Sequence, residues 1–292
     1  MKKGLLLIVF ALSIFATRSW CQINKGTSVK TGYVPVNGLE MYYEIHGAGE
    51  PIILLHGAYM TIGLNWAQLI PELSKSRKVI AVELQGHGRT GDIARPFSYA
   101  ALASDITELM RHLNLKQADI LGYSFGGTIA LQLAITNPEL INKLIIISTV
   151  FRYDGWLQEA REIFKTIKPE MFENTPLKTE YERIAPDANN WSKFVTKLAA
   201  FDREDFNLGE ENLKSIKSPI LFIMGDNDGV DLHHKATLYQ LCGGNVFGDL
   251  AGLPTSRLAI LPGATHVGIM METEKLMTFI QAFLSYNSSS QH

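Results

Sequence analysis

Short apolar runs at 51–55, 78–84, 118–123, 143–148 and 219–224 constrain this chain most, because helical segments separate them. Runs such as Pro51-Ile52-Ile53-Leu54-Leu55 do not alternate with polar residues, so they read as strands buried on both faces. Between them lie segments such as 99–113, where Leu102, Ile106, Leu109, Met110 and Leu113 fall on one helical face. Strand, helix, strand in this order predicts an α/β fold with a mostly parallel sheet and helices on both faces.

Three more strands complete an expected set of eight. Segments 28–36 and 39–46 flank Asn37-Gly38, a strong two-residue hairpin signal, and 258–261 is a late strand. Helices are expected at 65–76, 128–136, 234–241 and 274–284. The alternation lapses over 151–213, which is rich in aromatic and charged residues, helical in places and without an obvious buried strand. This segment reads as an insertion after the sixth strand, dividing a core into 22–150 and 214–292.

Residues 1–21 are set apart from that core. Lys2 and Lys3 precede an apolar run over 4–16, and Ser19-Trp20-Cys21 offers small residues at a cleavage site, the order of a secretory signal peptide. The expected product is exported, periplasmic or secreted, with no stable membrane insertion once the leader is removed. Lipid anchoring at Cys21 is disfavoured, because Thr17-Arg18-Ser19-Trp20 lacks the leucine and small residues of a lipoprotein box. Cleavage leaves Cys242 as the single thiol, so no intramolecular disulfide forms. With 27 basic and 29 acidic residues the formal charge is −2, which gives no electrostatic drive toward nucleic acid or an anionic membrane. Nothing in the sequence fixes an oligomeric state.

Gly122-Tyr123-Ser124-Phe125-Gly126 matches G-x-S-x-G directly after a strand and before a helix, the context in which the motif presents a nucleophile. A serine hydroxyl needs a base to take its proton. Of eight histidines, His266 alone follows a late strand through Pro262-Gly263 and precedes the last helix, on the carboxyl edge where Ser124 emerges. Asp226, Asp228 and Asp231 follow the 219–224 strand. Asp226 reads as a turn brace, and Asp228 is the better partner for the imidazole, with Asp231 its rival. Tyr59, Tyr123, Phe151, Trp156 and Val267 are candidate linings of an apolar substrate pocket. The acids and histidines show no ligand spacing such as H-E-x-x-H, so neither a metal nor an organic cofactor is expected.

These landmarks together resemble the α/β-hydrolase superfamily: Leu55-His56-Gly57-Ala58, Gly86-His87-Gly88-Arg89, Gly122 to Gly127, Gly225 to Asp228, and Pro262 to His266. The resemblance implies an α/β-hydrolase fold of the serine branch, with a helical cap over 151–213. It also implies an oxyanion hole from the backbone N–H groups of Ala58 and Phe125. Relatives that open epoxides or displace halide carry aspartate where this chain has Ser124, and the His56-Gly57-Ala58-Tyr59 loop departs from the HGGG type. The expected activity is that of a carboxylesterase-like serine hydrolase cleaving a small or aryl ester, or a lactone, through an acyl-enzyme. Alternatives on the same triad are a lactonase, a C–C bond hydrolase or an aminopeptidase; outside catalysis, a hydrolase-fold binding protein.

Overall fold

The computed structural model describes residues 29–286, so the expected signal peptide at 1–21, with Cys21, lies outside the described residues. Asn37 and Gly38 take positive φ of 48° and 87°, the pair of left-handed residues that a tight turn between twisted strands requires. They join β1 (Lys30–Val36) to β2 (Leu39–His46) as an antiparallel hairpin. There follow β3 (Pro51–Leu55), α1 (Ile62–Trp66), α2 (Leu69–Leu73), β4 (Lys78–Val82), α3 (Tyr99–His112), β5 (Ala118–Tyr123), α4 (Phe125–Thr136) and β6 (Ile141–Ile147). Helices α5 (Gln158–Phe164), α6 (Pro176–Ile184), α7 (Trp191–Phe201) and α8 (Glu210–Ser215) separate β6 from β7 (Ile220–Asn227). The chain ends with α9 (Leu232–Leu241), α10 (Gly248–Ala251), β8 (Arg257–Thr265) and α11 (Thr273–Ser285).

The sheet has eight strands in the order β1-β2-β4-β3-β5-β6-β7-β8. Only β2 runs against its neighbours; every pairing from β4 to β8 is parallel. Strand periodicity then builds two cores. Ile53 and Leu55 of β3 join Ile120, Ile146 and Phe222 on the face covered by α3, α4 and α9. Ile52 and Leu54 join Leu121, Ile145 and Ile223 on the face covered by α1, α2 and α11. An apolar strand without alternation is thus what a sheet buried on both faces needs.

Three of the boundaries that differ from the sequence reading matter most. The helix expected at 65–76 is two short helices, because Pro71 has no N–H to offer the carbonyl of Ala67. The helix expected from 128 begins at Phe125, so Ser124 itself is its N-cap. Strand β8 does not stop before Pro262-Gly263 but runs through it to Thr265. There β8 carries extra residues against β7, with Leu261 opposite Gly225 and Thr265 opposite Asn227. Gly263 supplies φ of 74° at this irregularity, and its N–H donates to Asp226 Oδ1 at 2.7 Å. Asp226 is therefore a brace, and the bulge delivers His266 beyond the sheet edge.

Within the segment between β6 and β7, α7 buries Trp191, Phe194, Val195 and Leu198. Helix α8 straddles the expected boundary at 213 and packs against α4 and α9 of the core through the sealed Leu213.

Candidate active site

Strands β3, β5, β7 and β8 are parallel, so the loops after them emerge on one edge of the sheet. These loops carry Ala58, Ser124, Asp228 and His266 respectively. Ser124 adopts φ 52° and ψ −115°, a conformation costly for a residue with a Cβ and of order 1–3 kcal/mol above the ordinary regions. The surroundings over-determine it. Its N–H donates to Ile147 O at 2.9 Å, and its carbonyl accepts from Thr149 Oγ1 at 2.7 Å.

Ser124 Oγ lies 2.9 Å from His266 Nε2, and His266 Nδ1 lies 2.7 Å from Asp228 Oδ1. A carboxylate only accepts, so Nδ1 carries the proton and Nε2 is left to accept from the serine hydroxyl. Burial alone pushes the Asp228 carboxyl up, but His266, the Ser148 hydroxyl and Lys235 more than offset it, leaving the group below the usual carboxylate range. Lys235 is itself buried, with Nζ donating to Gly225 O at 2.8 Å. The rival Asp231 caps α9, accepting from His234 N at 3.0 Å. The His266 ring lies between Tyr123, centroids 5.5 Å apart, and Trp156, 5.2 Å away edge-on. Tyr123 also donates its hydroxyl to the His266 carbonyl at 2.9 Å.

The loop after β3 is held by two other histidines. His56 donates from Nδ1 to Gly57 O and accepts the Leu84 N–H at Nε2, 2.8 and 3.1 Å. His87 donates from Nδ1 to Gln85 O and accepts the Tyr59 N–H at Nε2, 2.9 and 3.2 Å. Complete burial depresses both, His56 to about 4, so they stay neutral and structural. Half-buried Ala58 sits in this loop, and Phe125 opens α4, where the first N–H groups have no partner inside the helix. Among the described residues no group of three or more His, Cys, Asp or Glu side chains is arranged to hold a metal ion.

Two residues expected to line a pocket stand elsewhere. Tyr123 faces the core covered by α1, α2 and α11 and backs the histidine, because alternation along β5 points it away from α4. Phe151 is sealed and stacks on His234, centroids 4.4 Å apart. Trp156 and Val267 remain partly exposed beside His266. Tyr59, with φ 62°, packs on Phe172 and Phe194 and donates its hydroxyl to Asp202 Oδ2 at 2.7 Å.

Asp202, absent from the sequence reading, has its pKa pushed up to about 7 by burial, with Tyr59 and Arg203 opposing that rise. The folded protein thus holds this proton more tightly than the unfolded chain, whose carboxyl titrates near 3.9. The group's contribution to stability is complete below that pH and is lost as pH rises through 7. Asp202→Asn should therefore gain stability relative to the natural chain between pH 4 and 7, at a slope of up to about 1.4 kcal/mol per pH unit, and not beyond. Urea unfolding of both proteins at pH 5, 6, 7 and 8 checks this; parallel curves would refute it.

A model of the family described as alpha/beta hydrolase fold matches residues 50–196. The chain belongs to the α/β hydrolase fold family. Another family member, "Putative carbamate hydrolase RutD" of Azorhizobium caulinodans, is 28% identical over 250 residues, covering 78% of this chain and 88% of the relative. Among solved structures of this α/β hydrolase fold, the meta-cleavage product hydrolase CumD of Pseudomonas fluorescens superposes with a TM-score of 0.69 at 21% identity, covering 87% of this chain and 97% of that one. Est816, described as an N-acyl homoserine lactone degrading enzyme, gives a TM-score of 0.67 at 21% identity over 86% and 99% of the two chains.

Proposed function

We propose that this chain is a serine hydrolase that cleaves a carboxylic ester, open or cyclic, of a small or aryl substrate through an acyl-enzyme. The observation that carries the reading is the continuous relay from Ser124 Oγ through both ring nitrogens of His266 to Asp228, 2.9 and 2.7 Å. An idle serine would have no reason to occupy a strained backbone position facing a histidine of fixed tautomer.

In this reading Ser124 Oγ attacks the ester carbonyl while His266 Nε2 takes its proton. Asp228 stabilises the resulting imidazolium, and the N–H groups of Ala58 and Phe125 receive the oxyanion, each contributing about 3 kcal/mol to the transition state. The intermediate collapses with His266 returning the proton to the leaving alcohol. Water, deprotonated by the same nitrogen, then attacks acyl-Ser124 and releases the acid. The names of similar proteins, a putative carbamate hydrolase, a meta-cleavage product hydrolase and an N-acyl homoserine lactone degrading enzyme, are compatible with hydrolysis by this relay.

The test is pre-steady-state hydrolysis of a p-nitrophenyl ester together with labelling by phenylmethylsulfonyl fluoride. The expected result is a nitrophenolate burst of about one equivalent, with the label on the peptide containing Ser124. Neither burst nor label would overturn the reading. A panel of esters, lactones and prolyl amides then ranks the substrate classes.

A further inference from the structure

The space on the Phe125 side of Ser124 is walled by rings. Tyr99 lies 4.6 Å from Phe206, 5.1 Å from Phe201 and 5.9 Å from Phe125, and Phe125 lies 6.1 Å from Phe201. Phe125 is almost sealed, yet Tyr99, Phe201 and Phe206 keep part of their surface accessible although they face one another. Rings sealed inside a core leave no such surface, so these three stand at its margin, packed against it. We take the accessible surface left among these rings to line a recess that begins one residue from Ser124.

One ionisable group stands among them. Asp202 follows α7 as its C-cap, hydrogen-bonded to Tyr59 and close enough to Tyr99 to raise that phenol. Tyr59 follows Ala58 directly, so this carboxyl borders the nucleophile's surroundings from the cap side. Among the described residues Asp202 makes no ion pair, and the exposed Arg203 acts on it only through space. Its position is electrostatically poor twice over: it is only partly exposed, and the C-terminal end of a helix already presents partial negative charge. A purely mechanical tether for the Tyr59 hydroxyl needs only a neutral acceptor. Ring faces carry negative potential too, so rings and carboxylate select the same partner, a cation.

We propose that the recess bounded by Tyr59, Tyr99, Phe125, Phe201 and Asp202 receives an ammonium group carried on the acyl part of the substrate. This rests on the serine-hydrolase reading and names a substrate class for it. The acyl assignment follows from His266. The leaving alcohol must take its proton from that ring and so lies on the side flanked by Tyr123 and Trp156. The acyl chain then points away from it, toward Tyr99 and Asp202.

The experiment compares p-nitrophenyl 4-(trimethylammonio)butyrate with p-nitrophenyl 5,5-dimethylhexanoate, its neutral isostere, at pH 8. The natural chain is expected to favour the cationic ester at least tenfold in kcat/KM, and Asp202→Asn to lower that ratio about tenfold. Phe201→Leu, which leaves the carboxyl in place, should lower it in the same direction. Equal rates or preference for the neutral ester in the natural chain, or a ratio unchanged in Asp202→Asn, overturns the proposal. Hydrolysis of the neutral ester with Ser124 labelled keeps the hydrolase reading even then. If neither ester is turned over, the hydrolase reading fails only if Ser124 is also unlabelled, and calorimetric binding of tetraethylammonium decides the recess by itself. Binding weakened by Asp202→Asn supports it; no binding to the natural chain overturns it.

Discussion

Replacing Ser124 by alanine is expected to lower kcat about a millionfold on any ester that the natural chain turns over, with KM little changed. His266→Ala should do the same, and the double variant should be no worse than either alone. The reason is that nucleophile and base act as one unit: an alkoxide without its acceptor, or an acceptor without its alcohol, leaves only binding and oxyanion stabilisation. Asp228→Asn should cost less, about 10⁴-fold. An amide can present N–H to His266 Nδ1, which moves the ring proton to Nε2, so that two donors face each other across the 2.9 Å between ring and serine. Burst-corrected kcat values for the three single variants and the double variant, with near-ultraviolet circular dichroism as a check on folding, test this ordering. A double variant clearly slower than either single would contradict a shared step.

The residues in that prediction were legible before any coordinates because each follows a recognisable strand. Ser124, Asp228 and His266 come after β5, β7 and β8, and parallel strands put such positions on one edge whatever the details. The unbroken apolar runs that read as strands also predicted a sheet buried on both faces. What stayed hidden was set by contacts with no local signature. The β8 bulge depends on Asp226 reaching 37 residues along the chain to Gly263 N, so Pro262-Gly263 read as a turn ending the strand. Phe151 and Tyr123 read as pocket linings because aromatic residues near a nucleophile always invite that reading. Only the stacking partner His234, and the side of β5 on which Tyr123 falls, assign them to the interior. Asp202 lay within a helical segment of mixed composition, and its meaning comes from Tyr59, 143 residues away. Pattern arguments reach elements and their edges; pairings across the cap require the fold.

Gly126→Ala should be the most destabilising single methyl group that can be added near this site, by about 4 kcal/mol or more. A Cβ at Gly126 would stand 2.0 Å from the carbonyl oxygen of Leu55 and 2.7 Å from that of His56, where ordinary contact begins at 3.4 Å. Both obstacles are backbone, so no side chain can rotate to make room. Nor can the chain around them yield cheaply: Leu55 is sealed in β3, and His56 is pinned through Nε2 to Leu84 and through Nδ1 to Gly57. The alternative is to lift α4 off β3, which opens the core around Ile129 and Ala130 and withdraws the N–H of Phe125 from the N–H of Ala58. Stability and chemistry should therefore fall together. Gly91→Ala is the matched control, since a Cβ there meets nothing within 4 Å and the residue has no positive φ; its effect should stay within about 0.5 kcal/mol. At about 2–4 °C per kcal/mol for a chain of this size, Gly126→Ala should melt about 8 °C or more below the natural protein. A thermal melt that puts Gly126→Ala and Gly91→Ala within about 2 °C of each other would mean that the helix and strand can separate at little cost, and that the strained serine is not held by their contact.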